Sequence, residues 1–521
     1  MTRLGLSGRT PAATRLRQLV GAAVLALLLV APPAVLAATP QGLIREFPTH
    51  AGVNSITAGP EGNLWFSALG RHNLIGKITP RGKVTRFGLG KKVRPLSIVA
   101  GPDGNLWFTY EGSGGGVGRV TPAGAVTLFR ETAPTNGVPL EIVRGADGNL
   151  WFNHAAFFTP TGQVIGRITP QGEITEFGAG LDPGAAVANL TAGSDGNVWF
   201  ADDSFNPAVG RISPGGEIIE FPGLAPEEYP LLYGPTPAGD GNLYFSANEE
   251  PHVAVERISP SGAITRYRRG LSPSAWLVGP FGAGLHGAVW FRVEKKAPRG
   301  DPQQPGSTAI GRITPDGKIT EFTRCLRPLP GFAGPENLTL GPEGNIWFTT
   351  RESGEPGHAT RSSTPSIGRI TPAGQITEFR YGLHPESEPD ELTFASGRLW
   401  FFDRRNYSVG MIVPPRRPAN TFLVLRLKHK HFPSRYGVEV AVPGPGTLRL
   451  EELGARSGPA SSTAAAPACG PAVVGVPLRP VERRLLHRRG VLFLQARITF
   501  TPRGGSPFSE PATIELGGGD R

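Results

Sequence analysis

Short apolar runs alternate with glycine- and proline-rich turns along most of the chain, and this pattern repeats eight times. Each repeat contains a motif of five consecutive residues, as in residues 62–66 (GNLWF). The motif consists of a glycine, a variable residue, an aliphatic residue, an aromatic residue and a phenylalanine. The runs are too short for helices, and the turns between them favour hairpins, so each repeat predicts four strands. The central aromatic residues follow one another at intervals of 42 to 57 residues: Trp65, Trp107, Trp151, Trp199, Tyr244, Trp290, Trp347 and Trp400. Four short strands repeated at this interval predict an all-β fold, a β-propeller.

The first and last strands of the repeat region indicate how the ring closes. The third-strand motif (Ile-Gly-Arg-Ile and its variants) occurs eight times, whereas the fourth-strand motif follows it only seven times. Residues 43–47 (LIREF), ahead of the first complete repeat, match the missing fourth strand. We therefore expect an eight-bladed propeller over residues 38–413, with this N-terminal strand completing the last blade and removing an open edge. A seven-bladed ring with one displaced repeat is the alternative.

The N-terminal segment has the pattern of an export signal. Basic residues precede an apolar core from Leu19 to Val30, and Val35-Leu36-Ala37 matches a small-residue cleavage site. Residues 1–37 are therefore predicted to be a signal peptide, with an uncleaved anchor as the alternative. We expect the mature protein to be secreted or extracytoplasmic, monomeric and without a stable transmembrane anchor.

The C-terminal part differs from the repeats in composition. A proline- and arginine-rich linker, residues 414–420, precedes six strand-like runs, which predict a β-sandwich-like domain over residues 421–521. The Ala- and Ser-rich residues 457–467 predict a loop within it. The net charge is +11, and from residue 416 onward sixteen Lys or Arg face seven Asp or Glu.

Because the basic charge lies in this tail, the repeats show no sign of a nucleic-acid interface. The tail either contacts anionic envelope polymers or presents a solvated basic face. The only two cysteines, Cys325 and Cys469, leave open a disulfide between the repeats and the tail.

Candidate ligand-binding residues are those that differ between repeats, because a residue present in every repeat serves packing. The positions just after the second strands vary most in polarity. We expect these side chains, with one on a first strand, to surround one mouth of the central channel and to bind a small molecule, a glycan or an envelope protein. An ordinary solvated channel mouth is the alternative. The candidates are Asn54, Tyr110, His154, Asp202, Arg351 and Asp403.

Two motifs connect the repeats to a known family. Residues 101–109 (GPDGNLWFT) and 165–170 (IGRITP) resemble the virginiamycin B lyase (streptogramin lyase) family. The resemblance covers residues 41–413 and implies a propeller, although the characterised members have seven blades. It also implies a carbon–oxygen lyase that opens a cyclic ester antibiotic by elimination, with Mg²⁺ and with histidines in Pro-His-(Ala/Gly)-Ile and Glu-Pro-His-Gly-Ile segments.

This chain carries carboxylates where the resemblance implies those histidines. Glu336 follows Gly334-Pro335, and Asp390 follows Glu388-Pro389. Glu336, Glu388 and Asp390 together predict a cation site rather than a histidine base, with solvated carboxylates as the alternative. We therefore expect an exported binding propeller without the family's catalytic histidines. The alternative is a Mg²⁺-dependent lyase acting on a cyclic ester, so an enzymatic role stays open.

Overall fold

A computed structural model describes most of the chain from residue 41 onward. The predicted signal peptide, residues 1–37, and the candidate residue Arg351 lie outside the described part. Within that part, no helix is long and apolar enough to cross a membrane. The described residues are 41–71, 73–112, 114–130, 137–155, 163–204, 206–221, 232–247, 253–296, 307–323, 334–350, 365–384, 386–428, 436–453, 460–467 and 469–517.

The repeats form eight four-stranded antiparallel sheets. The N-terminal strand is β1 (Ile44–Pro48). Seven sheets then use four consecutive strands each: β2–β5 (Gly52–Ala58, Leu64–Leu69, Asn73–Ile78, Val84–Gly90), β6–β9 (Arg94–Ala100, Leu106–Glu111, Gly116–Val120, Val126–Arg130), β10–β13 (Val138–Arg144, Leu150–Ala155, Ile165–Ile168, Ile174–Phe177), β14–β17 (Val187–Ala192, Val198–Asp202, Ala208–Ile212, Ile218–Phe221), β18–β21 (Leu232–Pro237, Leu243–Ala247, Val255–Ile258, Ile264–Tyr267), β22–β25 (Ala275–Ala283, Val289–Lys295, Ser307–Ile313, Ile319–Phe322) and β26–β29 (Pro335–Leu340, Ile346–Thr350, Ser366–Ile370, Ile376–Phe379). The eighth sheet has the order β1-β32-β31-β30, with β30 (Pro389–Ala395), β31 (Arg398–Asp403) and β32 (Ser408–Ile412).

The sheets follow one another in a closed order. The first strand of each sheet contacts the first strand of the next, from β2 through β6, β10, β14, β18, β22 and β26 to β30, and β30 contacts β2. Strand β1 pairs antiparallel with β32, with Ile44 opposite Ile412 and Phe47 opposite Val409. It therefore lies where the sequence places residues 43–47, as the fourth strand of the sheet that ends the repeat region.

The second strand of each sheet is buried on both faces, which explains its unbroken apolar sequence. Trp199 and Phe200 on β15, for example, are 0% exposed. The phenylalanine lies against the glycine of the third strand: a Cβ added to Gly210 would lie 2.1 Å from Cζ of Phe200. The Gly-Arg-Ile motif thus needs glycine because the neighbouring phenylalanine ring fills the space of a side chain.

The arginine of the same motif joins neighbouring sheets. The Arg167 guanidinium lies 5.6 Å from the Trp151 ring and 5.2 Å from the Phe177 ring, a cation–π geometry. Its Nη1 donates to the Pro214 carbonyl oxygen in the next sheet at 2.7 Å. This residue therefore contacts both its own sheet and the next one. The equivalent donor–acceptor pairs are Lys77–Pro122, Arg119–Pro170, Arg211–Pro260, Arg257–Pro315, Arg312–Pro372 and Arg369–Pro415.

The C-terminal module contains two sheets with one shared core. The strands are β33 (Leu423–Lys428), β34 (Gly437–Val442), β35 (Gly446–Glu452), β36 (Ser461–Ala466), β37 (Gly470–Gly475), β38 (Val491–Pro502) and β39 (Phe508–Gly517), and the helix is α1 (Pro480–Arg489). One sheet has the order β33-β34-β37 and the other β36-β35-β38-β39. Val440 from the first sheet and Leu448 and Phe500 from the second are buried in the same apolar cluster.

Two elements of this module differ from the sequence expectations. Residues 461–466 form β36, paired with β35, so the loop predicted over residues 457–467 is wrong for this part. Helix α1 begins with Pro480, where the backbone N–H of Arg479 donates to the Glu482 carboxylate at 2.7 Å. It ends at Gly490, whose φ of 72° permits the left-handed C-cap.

The C-terminal module packs on the sheet β26–β29. The Tyr381 ring, just after β29, lies 5.5 Å from the Phe508 ring, and its hydroxyl donates to Glu510. Asn420, at the end of the linker, is fully buried and accepts a hydrogen bond from the Gln41 backbone at 2.8 Å. Cys469 is disulfide-bonded and lies against the same sheet, whereas Cys325 is outside the described residues.

Candidate functional site

In each of the eight sheets formed by the repeats, a β-bulge interrupts the first strand near its middle. In each sheet the register against the second strand shifts near the middle of the first strand. At three of these bulges a residue other than glycine has a positive φ: Asn189 (56°), Asn337 (51°) and Glu391 (36°). Bulges of this kind redirect side chains and occur next to binding sites.

A cavity of about 410 Å³ lies against these bulges on five neighbouring first strands, β6, β10, β14, β18 and β22. Among the described residues of its wall, only Glu141 has an acidic or basic side chain. The wall also contains hydroxyl and amide groups and two aromatic rings. The lining residues are Ser97, Glu141, Ile142, Val143, Asn189, Leu190, Thr191, Tyr233, Gly234, Pro235, Thr236, Pro237, Pro280 and Phe281.

Glu141 is held by contacts to its own sheet and to the next. Its Oε2 accepts a hydrogen bond from the Leu190 backbone N–H at 2.9 Å, and its own N–H donates to Asn153 Oδ1 at 2.8 Å. The Asn153 amide in turn donates to the Val187 carbonyl oxygen at 2.8 Å. Burial raises the pKa of the Glu141 carboxyl, and the backbone hydrogen bonds oppose this change.

A second carboxyl group adds to the negative charge near Glu141. Desolvation, followed by the charges of Asp202 and Glu141, raises the pKa of Asp203 to about 6. The Asp203 backbone N–H donates to the Ala186 carbonyl oxygen at 3.0 Å, which fixes this residue just after β15. The region between β10 and β14 is therefore electronegative when both groups are ionised.

The three carboxylates proposed from the sequence as a cation site are paired with arginines. Glu336 lies 3.2 Å from Arg292, and Glu388 lies 3.5 Å from Arg405. Asp390 pairs with Arg404 and also accepts a hydrogen bond from the Asn337 amide at 2.7 Å. Among the described residues, no group of three or more His, Cys, Asp or Glu side chains is placed to hold a metal. Each of the three carboxylates therefore has a guanidinium partner, which argues against a Mg²⁺ ion held by them, and the cation site stays a prediction.

Four of the channel-mouth candidates are buried rather than directed into an open mouth. Tyr110, His154, Asp202 and Asp403 are all 0% exposed. His154 Nδ1 lies 3.1 Å from the Val164 carbonyl oxygen. These positions lie at the ends of the second strands inside the sheets, and ligand binding by them at a channel mouth stays a prediction.

The two aspartates among them organise loops. Asp202 accepts the backbone N–H of Ala186 at 2.6 Å and that of Ser204 at 3.0 Å. Asp403 accepts the backbone N–H of Glu388 at 2.9 Å and the Asn406 amide at 2.6 Å. Buried carboxylates that accept several hydrogen bonds have a structural role here.

Asn54 is the one described candidate on a first strand with an exposed side chain. Its amide donates to the Pro95 carbonyl oxygen of the next sheet at 3.1 Å, and the residue is outside the wall of the cavity. Asn54 therefore lies on a first strand, β2, that does not line the cavity.

Three residues of the cavity wall, Ser97, Glu141 and Asn189, come one residue after the first-strand position that Glu336 and Asp390 occupy in their repeats. In the six repeats that align on the Trp-Phe pair, the next position along the first strand is always polar: Ser55, Ser97, Glu141, Asn189, Asn337 and Glu391. This uniform polarity in an otherwise apolar strand was the available signal. The bulge explains it, because an extra residue moves the next side chain to a different face.

Comparisons with known proteins place the repeats in a family. The model of the virginiamycin B lyase family matches residues 30–222 and 153–362, together more than half of the chain. A catalytically inactive variant of virginiamycin B lyase from Staphylococcus aureus, solved with quinupristin, is 23% identical and has a TM-score of 0.45; the match covers 71% of this chain and 98% of that one. The extracellular domain of a putative hybrid two-component system from B. thetaiotaomicron is 10% identical and has a TM-score of 0.41. This match covers 89% of the present chain and 67% of that domain's chain. No curated protein matches the chain.

Proposed function

Because the chain belongs to the virginiamycin B lyase family, we propose that it is an exported β-propeller that retains the family fold but binds a small ligand. The ligand site is the cavity on β6, β10, β14, β18 and β22. A volume of about 410 Å³ lies in the range of small-molecule sites. Among the partners expected from the sequence, this size favours a small molecule or one sugar unit over a protein.

One observation carries this proposal: the chain has a polar cavity in one part of the ring and arginine-neutralised carboxylates in another. Elimination needs a base that is free to take a proton. Glu336 and Asp390, which stand at the positions of the family's histidines, are engaged with Arg292 and Arg404. The cavity wall instead offers Glu141 together with hydroxyl and amide groups that suit hydrogen bonding to a ligand.

The arrangement of the ring and the export of the chain are parts of the same proposal. We infer that the eight sheets are eight blades of one ring, one more than in the characterised members of the family. The cyclic contacts of the first strands and the pairing of β1 with β32 support this count. Export to an extracytoplasmic compartment is supported by the basic, apolar and small-residue pattern of residues 1–37.

A second candidate function is a lyase that uses Glu141 as the base. It is favoured by one observation: burial raises the pKa of the Glu141 carboxyl, and a raised pKa makes a carboxylate a stronger base. In that case the reaction centre would have moved away from the positions of the family's histidines. Such an enzyme would still open a cyclic ester by elimination, but its reaction centre would lie on the other side of the propeller.

Ligand binding is tested by thermal shift and calorimetry with a panel of small amines, sugars and short peptides. We expect at least one class to bind the purified protein and to lose binding in Ser97→Trp, which fills the cavity from its wall. Ser97→Ala is the matched control and should retain binding. Equal binding to both variants would place the ligand elsewhere and overturn the cavity as the site.

The lyase alternative is tested with virginiamycin B and Mg²⁺, using chromatography to separate the cyclic and opened forms, which have equal mass. We expect the antibiotic to stay cyclic at high protein concentration. Ring opening that disappears in Glu141→Gln but persists in Glu173→Gln, an exposed turn substitution in the same sheet, would establish the second candidate instead.

We also propose that the C-terminal module attaches the protein to an anionic envelope polymer. Helix α1 exposes four arginines, and none of the ion pairs found among the described residues involves them: Arg483, Arg484, Arg488 and Arg489. Such a group attracts anionic polymers through charge. Replacing the four by serine should abolish retention on an anionic polysaccharide column at low salt. Unchanged retention would refute this role.

A further inference from the structure

The described residues of the cavity wall combine one carboxylate with two aromatic rings and include no lysine, arginine or histidine. We infer that its ligand is a small organic cation, whose ammonium group lies against Glu141 and the rings of Tyr233 and Phe281. This inference rests on the proposed ligand-binding function and names the chemical class of the ligand. Carboxylates and aromatic faces both attract an ammonium group and disfavour an anion.

The Glu141 carboxylate is placed for a cation by its existing contacts. One oxygen is turned towards the Leu190 backbone N–H at 2.9 Å, and the peptide of Glu141 is fixed by Asn153 at 2.8 Å. None of the ion pairs found among the described residues includes Glu141, unlike Glu336 or Asp390. A partly buried carboxylate loses hydration without gaining a countercharge from the protein, so a ligand cation supplies the compensating charge.

The surroundings of Glu141 strengthen its negative potential. Asp203 follows the end of β15 on the adjacent sheet, and the Glu141 charge is among the causes that raise its pKa. The repeat-motif arginine of the same sheet, Arg167, is directed to the Trp151 ring and to the Pro214 carbonyl oxygen. Its charge therefore serves the contact between sheets. The cavity thus carries the negative charge of Glu141 and lies near that of Asp203, and such a potential attracts a cation.

The two aromatic rings stand on neighbouring first strands, β18 and β22, and packing holds both in place. Tyr233 lies against Gly279, where a Cβ would be 2.4 Å from the ring. The Phe281 ring lies 5.6 Å from the Phe291 ring. Rings held in this way contact a ligand without losing side-chain entropy, and alkylated ammonium groups favour such walls. A volume of about 410 Å³ limits the ligand to a small cation.

The test compares choline with 3,3-dimethylbutan-1-ol, its neutral isostere, by calorimetry on the full purified protein. We expect choline to bind about tenfold or more tightly than the alcohol, as expected for a charge-assisted contact. Glu141→Gln should abolish this preference while keeping an acceptor for the Leu190 N–H. Glu173→Gln, which changes the net charge equally at an exposed turn, should leave it unchanged.

The outcomes separate this inference from the function on which it rests. Equal binding of choline and the alcohol, both blocked by Ser97→Trp, would overturn the cationic ligand but retain the cavity as a binding site. If neither probe binds at millimolar concentration, the result would count against the cationic ligand and against the cavity as a binding site. A second variant, Asp203→Asn, keeps the cavity wall intact and should weaken choline about two- to threefold through the field alone. The inference would also be overturned if choline bound Asp203→Asn as tightly as the parent protein and Glu141→Gln still preferred choline to the alcohol.

Discussion

Replacing Glu391 by glutamine removes a carboxylate from the contact between the first strands of the first and last sheets. Glu391 lies at the bulge of β30 with a φ of 36°. Its Oε2 accepts the Ile56 backbone N–H of β2 at 3.0 Å, and Ser55 donates to Oε1 at 3.4 Å. Glutamine keeps the shape and an acceptor for Ile56 but cannot ionise, so the substitution isolates the cost of the charge.

The magnitude follows from the pKa of this group. Burial raises the pKa of Glu391 from 4.5 to about 7, and Asp390 adds to this effect, while the Ile56 N–H, Ser55 and Arg404 oppose it. Between pH 4.5 and about pH 7, Glu391 keeps its proton in the folded protein but has released it in the unfolded chain. Stability from this group is therefore complete below pH 4.5 and is lost as the pH rises to about 7. The full loss is about 3 kcal/mol.

Thermal unfolding of the two proteins at pH 5 and pH 8 measures this effect. We expect Glu391→Gln to gain stability relative to the parent protein by about 2 to 3 kcal/mol between these pH values. Other carboxyl groups with raised pKa values, such as Asp203 and Glu220, occur in both proteins, so their contributions cancel. Glu173→Gln, at an exposed turn, is the matched control and should show a difference that does not depend on pH.

A difference between Glu391→Gln and the parent that is the same at pH 5 and pH 8 would refute the reasoning. It would mean that Glu391 is ionised throughout, stabilised by Arg404 and its hydrogen-bond donors more than burial destabilises it. Loss of stability at both pH values would instead show that the ionised carboxylate is needed to hold the Ile56 N–H.

Two further substitutions test the packing and the buried ion pairs, each against a matched control. Gly210→Ala should destabilise the fold by about 3 kcal/mol, because the new Cβ meets the Phe200 ring at 2.1 Å. The control is Gly88→Ala, whose Cβ has nothing within 4 Å and which should change the melting temperature little. Equal effects of the two substitutions would contradict the steric argument. Arg292→Met should cost about 3 to 5 kcal/mol by leaving two carboxylates without their guanidinium. The exposed pair of Arg94 contributes at most about 1 kcal/mol, so comparable losses in Arg94→Met and Arg292→Met would show that burial does not set the cost.

The repeat pattern was sufficient to predict the strands because the packing of one sheet on the next is local and recurrent. Each sheet needs the same aromatic pair, the same third-strand glycine and the same turn, as at Phe200 and Gly210. Counting fourth-strand motifs also predicted the position of β1, since an unpaired strand edge must find a partner. Helix α1 and strand β36 were not predicted, because arginine- and alanine-rich segments carry no marked periodicity.

The candidate site depended on the tertiary structure for two reasons. A bulge shifts the first strand by one residue, so the side chains at the cavity are Glu141 and Asn189 rather than the aligned positions before them. Charge pairing is also non-local: Arg292 and Glu336 are 44 residues apart in the chain but 3.2 Å apart in space. A sequence shows that a carboxylate is present, but its chemistry is set by which cation, backbone N–H or solvent reaches it. The repeat thus determined the architecture, whereas register and ion pairing decided which of its carboxylates face the cavity and which are paired with arginine.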